Sequence, residues 1–474
     1  MLTVLKNKKN IFILGFLLVL LILPRIAIYP IFGVGIVGTD AQFRYFPQAK
    51  ELSESFGNFF NQTGPAYSLF LLFFEKINND MVAGPVLIQH IIGIITALLV
   101  FCYFKKINLP LAFFVTIFTY SAWTALWIEH TILRESLASF LMVILVILVS
   151  LAAKELKYFK FIFAFLTGLI GLALVFIRIE FVVLLIFMPL ILFIVKKKEL
   201  PNFKFKDRNF LKWNFGYFCP FFIVFIVYFM LFRPVQIKTT DYGSFFIVSY
   251  YSLIPETFYY NNSRYAGLLN EYQEILETAG TKREETSLAK RERMAKFDEV
   301  TSEYLSRHPE IKLSKLEIMD KIYIEIMIKN TLVYLESFGV NLKNHLLGTA
   351  ELDTLIFKDK ITDSGVETKI DSPVIDKIFH FHNIGMKWFS TVLFWLFLPS
   401  TAFLFIKWKS LPSEVIISFF ITVIHILVLS FLTNPAHRFR YPIDPFIYFL
   451  QFYLILTFFN MIFFGKIKLL YKRQ

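Results

Sequence analysis

Ten apolar runs, each close to the length that crosses a membrane, constrain this chain more than any other feature. They fall at about 11–32, 82–104, 109–128, 132–153, 159–177, 179–195, 213–232, 384–406, 411–432 and 441–464. A helix needs roughly 20 residues to cover a hydrocarbon core about 30 Å thick. No water reaches the backbone there, so every N–H and C=O must be satisfied within the segment and each run must be a helix. The expected fold class is therefore all-α, a polytopic transmembrane bundle of about 10 spans. Composition enters as a check: 56% of residues are hydrophobic and 59 are Phe, which excludes an ordinary water-soluble domain.

The formal charge of +13 does not point to nucleic acid, because its placement follows the loops. With the N-terminus in the cytoplasm, Lys and Arg on the inside segments outnumber those on the short outside loops by about three to one. The clusters Lys6, Lys8, Lys9; Lys196, Lys197, Lys198; and Lys466, Lys468, Lys472, Arg473 are among the inside residues that set that bias. Both termini are expected inside. The first apolar run has no small-residue cleavage site and is read as a retained span. The chain is thus expected to be an integral protein of a bacterial plasma (inner) membrane.

Three parts are expected along the chain. Residues 1–232 form an N-terminal transmembrane module whose first outside loop, 33–81, holds two stretches too short to span, about 43–56 and 65–77. The second, PAYSLFLLFFEKI, suits a helix lying at the interface. Residues 233–383 form a mainly helical extracytoplasmic insert, and residues 384–474 the C-terminal transmembrane helices. Cys102 and Cys219 both sit in apolar runs, so no disulfide framework or Cys metal set is expected. His380 and His382 lack a completing acid or Cys, and the sequons at Asn61 and Asn261 bear on function only where the host glycosylates secreted proteins.

Chemistry is sought where ionisable residues meet the ends of spans, since they are costly there. On the expected outer face these are Asp40; Glu129, His130, Arg134 and Glu135; Arg178 and Glu180; and His437, Arg438, Arg440 and Tyr441. Arginine forks bind phosphate oxygens, and a carboxylate can accept a hydroxyl proton. The competing reading is structural: Arg134 pairs with Glu135, Arg178 pairs with Glu180, and Asp40 caps a helix. His130 and His437 are, on that reading, polar anchors at helix ends.

In order along the chain, GTDAQFRYFPQAKEL, TGPAYSLFLLFFEKI, LRESLASFLMVILV, FIRIEFVVLLIFMPLILF and HRFRYPIDPFIYFL resemble successive motifs of the GT-C superfamily of membrane glycosyltransferases, the class of the protein O-mannosyltransferases and the aminoarabinose transferases of lipid A. The resemblance covers about 1–200 and 384–464. It implies an inverting transferase that takes a sugar from a polyprenyl-phosphate donor to a lipid, glycan or protein acceptor outside the cytoplasm. Asp40 would be the catalytic base, with Glu135 the second catalytic candidate. Arg178, Arg438 and Arg440 would bind the donor phosphate, and His130, Glu180, His437 and Tyr441 would contact substrate. Two departures stand out: Ala41 follows Asp40 where the family has a second acid, and Gly64 and Pro65 replace a His-Pro-Pro sequence. No cofactor is required and no metal site is predicted; the partners are donor, acceptor and membrane, with no nucleic acid. The rival readings are a flippase or exporter of lipid-linked glycans and an O-antigen polymerase or ligase.

Overall fold

The computed structural model describes residues 8–38, 40–55, 64–154, 160–232, 266–278, 299–311, 407–432 and 440–464, with isolated positions or short pieces between 57 and 62 and between 318 and 402. Among the described residues the fold is almost entirely helical, and the one β feature is an isolated bridge. The helices are α1 (Lys8–Phe32), α2 (Phe46–Glu54), α3 (Pro65–Asn78), α4 (Ala83–Phe104), α5 (Leu109–Tyr120), α6 (Trp123–His130), α7 (Glu135–Lys154), α8 (Phe161–Ile177), α9 (Phe181–Glu199), α10 (Arg208–Phe232), α11 (Ala266–Thr278), α12 (Ser413–Leu432) and α13 (Asp444–Phe464).

By length and composition, six described helices suffice to cross a membrane: Ile11–Pro30, Ala83–Phe104, Glu135–Lys154, Arg208–Val227, Ser413–Ser430 and Tyr441–Ile462. That suits an integral membrane protein, and large apolar side chains such as Phe12, Phe16, Phe222 and Phe225 stand exposed on their outer faces. The remaining expected spans differ in detail. Helix α8 has 17 residues, α9 is apolar only as far as Val195 before three lysines, and much of 384–406 lies outside the described residues.

One expected span is not a single rod. The run at 109–128 divides into α5 and α6, bent by 50°. Asn108 starts α5 by accepting the Leu111 N–H at 2.8 Å, with a proline in the first turn. At the break, Ser121 donates its hydroxyl to the Leu20 carbonyl of α1 at 3.0 Å, and Ala122 is extended. Glu129 and His130 close α6 ahead of the turn into α7, as the sequence put them, but both are completely buried.

The chain divides into two compact units, Met1–Val235 with Leu347–His425 and His437–Gln474, and Gln236–Leu346 with Ile426–Ala436. In the first, α8 and α10 approach so closely that a Cβ on Gly168 would lie 2.0 Å from the Tyr217 carbonyl oxygen. Small residues at such crossings are how apolar helices pack without a hydrophobic drive between them. Helix α4 packs on α5 and α7, and Phe104 stacks on Phe449 of α13 with ring centroids 3.6 Å apart. In the second unit α11 pairs with the helical segment 299–307 through the Arg307–Glu271 ion pair, with Leu268, Leu269 and Val300 buried.

Candidate functional site

The site begins with the loop that leaves α1. Gly33 has φ +70°, and the glycine-rich stretch after it runs beside the segment joining α6 to α7. Ile36 donates to the His130 carbonyl at 2.9 Å and accepts from the Ile132 N–H at 3.0 Å. Gly35 lies tight against Val86 of α4 and Val82 just ahead of it, so a side chain there would have to displace them. The loop therefore reaches Asp40 already docked on the segment 130–132.

Asp40 is partly exposed and opens a turn of π-helix, Ala41–Tyr45, that runs directly into α2. π-turns are rare and cluster at functional sites. The Asp40 side chain makes no capping hydrogen bond to the turn it begins, so the helix-cap role considered from the sequence is not the one it plays. It interacts electrostatically with Arg134 and with the buried Tyr45.

Behind Asp40 lie four buried charges. Arg178 reaches Glu180 at 2.9 Å and Glu135 at 3.6 Å; Arg134 lies 3.8 Å from Glu180 and donates to the Ile177 carbonyl at 3.0 Å. The sequence reading paired Arg134 with Glu135. Adjacent residues at a helix start point in different directions: Arg134 crosses to Glu180 and Arg178 to Glu135, between the α6–α7 and α8–α9 turns, while the expected Arg178–Glu180 pair forms within its own turn. Two guanidiniums and two carboxylates balance, as buried charges must. Arg134 Nε, Glu135 Oε2 and Glu180 Oε2 are buried with no hydrogen-bond partner among the described residues, so polar capacity remains. Gly64 closes the cluster: its φ is +75°, and a Cβ there would meet Arg134 Nη1 at 2.6 Å and the Ile177 oxygen at 2.7 Å. That is a physical reason for glycine where the resembled family carries histidine and proline.

A second cluster surrounds Glu129. Arg25 of α1 grips it in bidentate fashion, Nε to Oε2 at 2.8 Å and Nη2 to Oε1 at 2.6 Å. His90 Nδ1 lies 3.1 Å from Oε2, and the Tyr441 hydroxyl donates to Oε1 at 3.3 Å. A Cβ on Gly93 would sit 2.1 Å from Oε1, so glycine on α4 makes the space for the carboxylate. Gln89 holds the chain end of α6 by donating to the Glu129 and Thr131 carbonyls, both at 2.8 Å, and accepts from Tyr67 of α3 at 2.7 Å.

Tyr441 follows Arg440, which is also buried. Arg440 donates from Nε to Asp444 at 2.6 Å and from Nη2 to Tyr448 at 2.9 Å. His437 and Arg438 lie outside the described residues, as do His380, His382, Asn61 and Asn261.

The structure thus gathers Asp40, Arg134, Glu135, Arg178 and Glu180 in one neighbourhood, and His130 and Tyr441 in an adjoining one. The segment 129–135 belongs to both. Sequence reasoning missed Arg25, His90, Gln89 and Tyr67. For Arg25 and His90 a signal existed, since each is an ionisable residue inside an apolar run. Among the described residues no group of three His, Cys, Asp or Glu is arranged to hold a metal ion. Neither a family model, a curated protein nor a solved structure matches the chain.

Proposed function

We propose that this protein is an inverting membrane glycosyltransferase that moves a sugar from a polyprenyl-phosphate donor to a lipid, glycan or protein acceptor, on the extracytoplasmic face. The observation that carries the reading is Asp40: a partly exposed carboxylate on a π-turn, not used as a cap, beside a buried arginine cluster. Asp40 accepts the acceptor's hydroxyl proton as that oxygen attacks the anomeric carbon. The bond from that carbon to the phosphate oxygen breaks on the opposite side, and the phosphate leaves with the electron pair. Guanidinium groups stabilise the charge it gains. Arg178, Arg438 and Arg440 are the phosphate ligands that the resemblance implies, and Arg134 joins them because it faces Asp40.

The test is sugar transfer from a purified polyprenyl-phosphate sugar by reconstituted wild type and by Asp40→Asn. The expected loss is of the order of 10²-fold or more, the usual worth of a positioned base. A full rate in the variant removes Asp40 from the mechanism.

A second reading, a flippase or exporter of lipid-linked glycans, is favoured by one observation: the 50° break between α5 and α6. Transporters build their sites from such interrupted spans. Transport without sugar transfer in proteoliposomes supports that reading over the first.

A further inference from the structure

The Glu129 cluster contains an ordered line of exchangeable protons, of which the transferase reading uses only His130, as a substrate contact. His90 stands in the middle, with Nδ1 3.1 Å from Glu129 Oε2 and Nε2 3.0 Å from His130 Nδ1. Both histidines and the carboxylate are buried. The His130 ring sits against Tyr29 and Phe32, beside the Phe32–Gly33 backbone where α1 gives way to the outer loop.

Neutralising Glu129 does not require this line. Arg25 alone already meets the carboxylate with two charge-assisted hydrogen bonds. A hydrogen bond between two imidazole nitrogens needs one donor and one acceptor, so its direction fixes both tautomers. In one arrangement His90 Nδ1–H donates to the carboxylate and His130 Nδ1–H donates to His90 Nε2. In the other, a protonated Glu129 donates to His90 Nδ1 and His90 Nε2–H donates to His130 Nδ1. The two differ by one proton. When a proton binds His130 Nε2, the His130 Nδ1 proton passes to His90 Nε2, and the His90 Nδ1 proton passes to Glu129. Only N–H and O–H bonds break or form, and the charge balances.

We propose that His130, His90 and Glu129 form a proton relay, which takes up one proton beside the outer loop and stores it on the carboxylate that holds Arg25. The groups facing it are Arg25 and Tyr29 from α1, Tyr120 from α5 and Tyr441 ahead of α13; Asp444 acts electrostatically on Tyr120 together with Glu129 and Arg25. Arg25 is the one cation among them. Storing the proton neutralises Glu129 and leaves Arg25 a cation hydrogen-bonded to a neutral acid, so outer pH is reported to α1 and, through Tyr441, to the segment that carries Arg440. The relay stands on these contacts alone and does not depend on the transferase reading.

The experiment uses the full chain in lipid nanodiscs. Histidine ¹⁵N NMR of the wild type is expected to show two rings protonated at Nδ1 in alkaline buffer that both change to Nε2 on acidification. Infrared difference spectra over the same step are expected to gain a protonated-carboxyl band that is lost in Glu129→Gln and appears more slowly in His130→Asn. Two rings that keep their tautomer across the step overturn the relay, and this measurement needs no substitution. A carboxyl band that survives Glu129→Gln overturns it as well.

Discussion

Helices α7 and α9 each have one end in the arginine-rich site and the other among lysines, and the two ends solve the same electrostatic problem differently. At the site end, Arg134, Arg178, Glu135 and Glu180 pair side chain to side chain, out of water. At the far end, Lys196 donates to the Ala153 carbonyl at 2.9 Å, Lys198 donates to the Leu411 carbonyl, and Lys154 pairs with Glu414 while remaining 38% exposed. Lysines at helix C-termini cap spare carbonyls and favour the helix dipole; the Lys154 stem carries its charge toward water, whereas Lys196 is itself buried against the carbonyl it caps. The arginine end has rigid forks, balanced charges and glycines that leave no spare volume, so geometry there is over-determined. Over-determined polar geometry away from water is what a site needs and what a simple anchor does not.

The comparison is tested most strongly at Arg25 of α1, whose partner Glu129 begins the segment 129–135 that leads into the arginine-rich end. Arg25→Ala leaves the buried Glu129 without its cation and held only by His90 and the Tyr441 hydroxyl, which costs up to about 3–5 kcal/mol by analogy with other broken buried pairs. Thermal unfolding of the purified chain in detergent should register that as a large drop in midpoint. A small effect means water reaches Glu129 and the site end is no drier than the lysine end.

Next is Gly64→Ala. Its positive φ and the close approach of Arg134 and Ile177 make alanine strained, by about 1–3 kcal/mol. Gly15→Ala is the matched control, since nothing stands within 4 Å of a Cβ there. The same thermal assay should separate the two; equal effects would mean the Gly64 turn yields at little cost.

Asp80, between α3 and α4, sharpens the comparison by pH. Burial opposes its ionisation, but its carboxylate accepts the N–H groups of Val82, Ala83 and Gly84 at 2.7, 3.1 and 3.2 Å, and these hold its pKa below the usual carboxylate range. A folded-state pKa below the unfolded value stabilises the fold at pH above the unfolded value, about 3.9, and that share is lost as pH falls through the folded value. Asp80→Ala should cost about 1 kcal/mol at neutral pH. The gap from wild type should narrow in acid, as read by unfolding midpoints from neutral pH down to the acid limit of the detergent. A gap that stays constant with pH assigns the effect to packing.

How much of this was legible in the sequence follows from which physics each feature obeys. Length and apolarity announced α1, α4, α7, α10, α12 and α13, because backbone satisfaction in lipid leaves one answer. The α5–α6 bend was not legible: it depends on Ser121 finding the Leu20 carbonyl, a contact 101 positions away along the chain. Asp40, Arg134, Glu135, Arg178 and Glu180 could be chosen because charge at span ends is costly, and they do lie together. The Arg178–Glu180 pair was legible too, but the crossed contacts of Arg134 with Glu180 and of Arg178 with Glu135 were not, since they are set by how two helix turns face each other. Arg25 and His90 lie within the runs, where an ionisable residue is the stronger signal, and not at their ends.

The smallest effect belongs to the lysine end. Glu414→Gln keeps a hydrogen-bonding side chain at the start of α12, and Lys154 can turn its ammonium to water. A pair with one solvated partner is worth about 0–1 kcal/mol and is weakened by salt. The midpoint should therefore shift little from wild type in low salt, and less again in high salt. Arg25→Ala should keep its full deficit in both, because a dry pair is screened far less. If the salt responses come out alike, the two ends share one dielectric environment, and the contrast between a dry site end and a wet anchor end is lost.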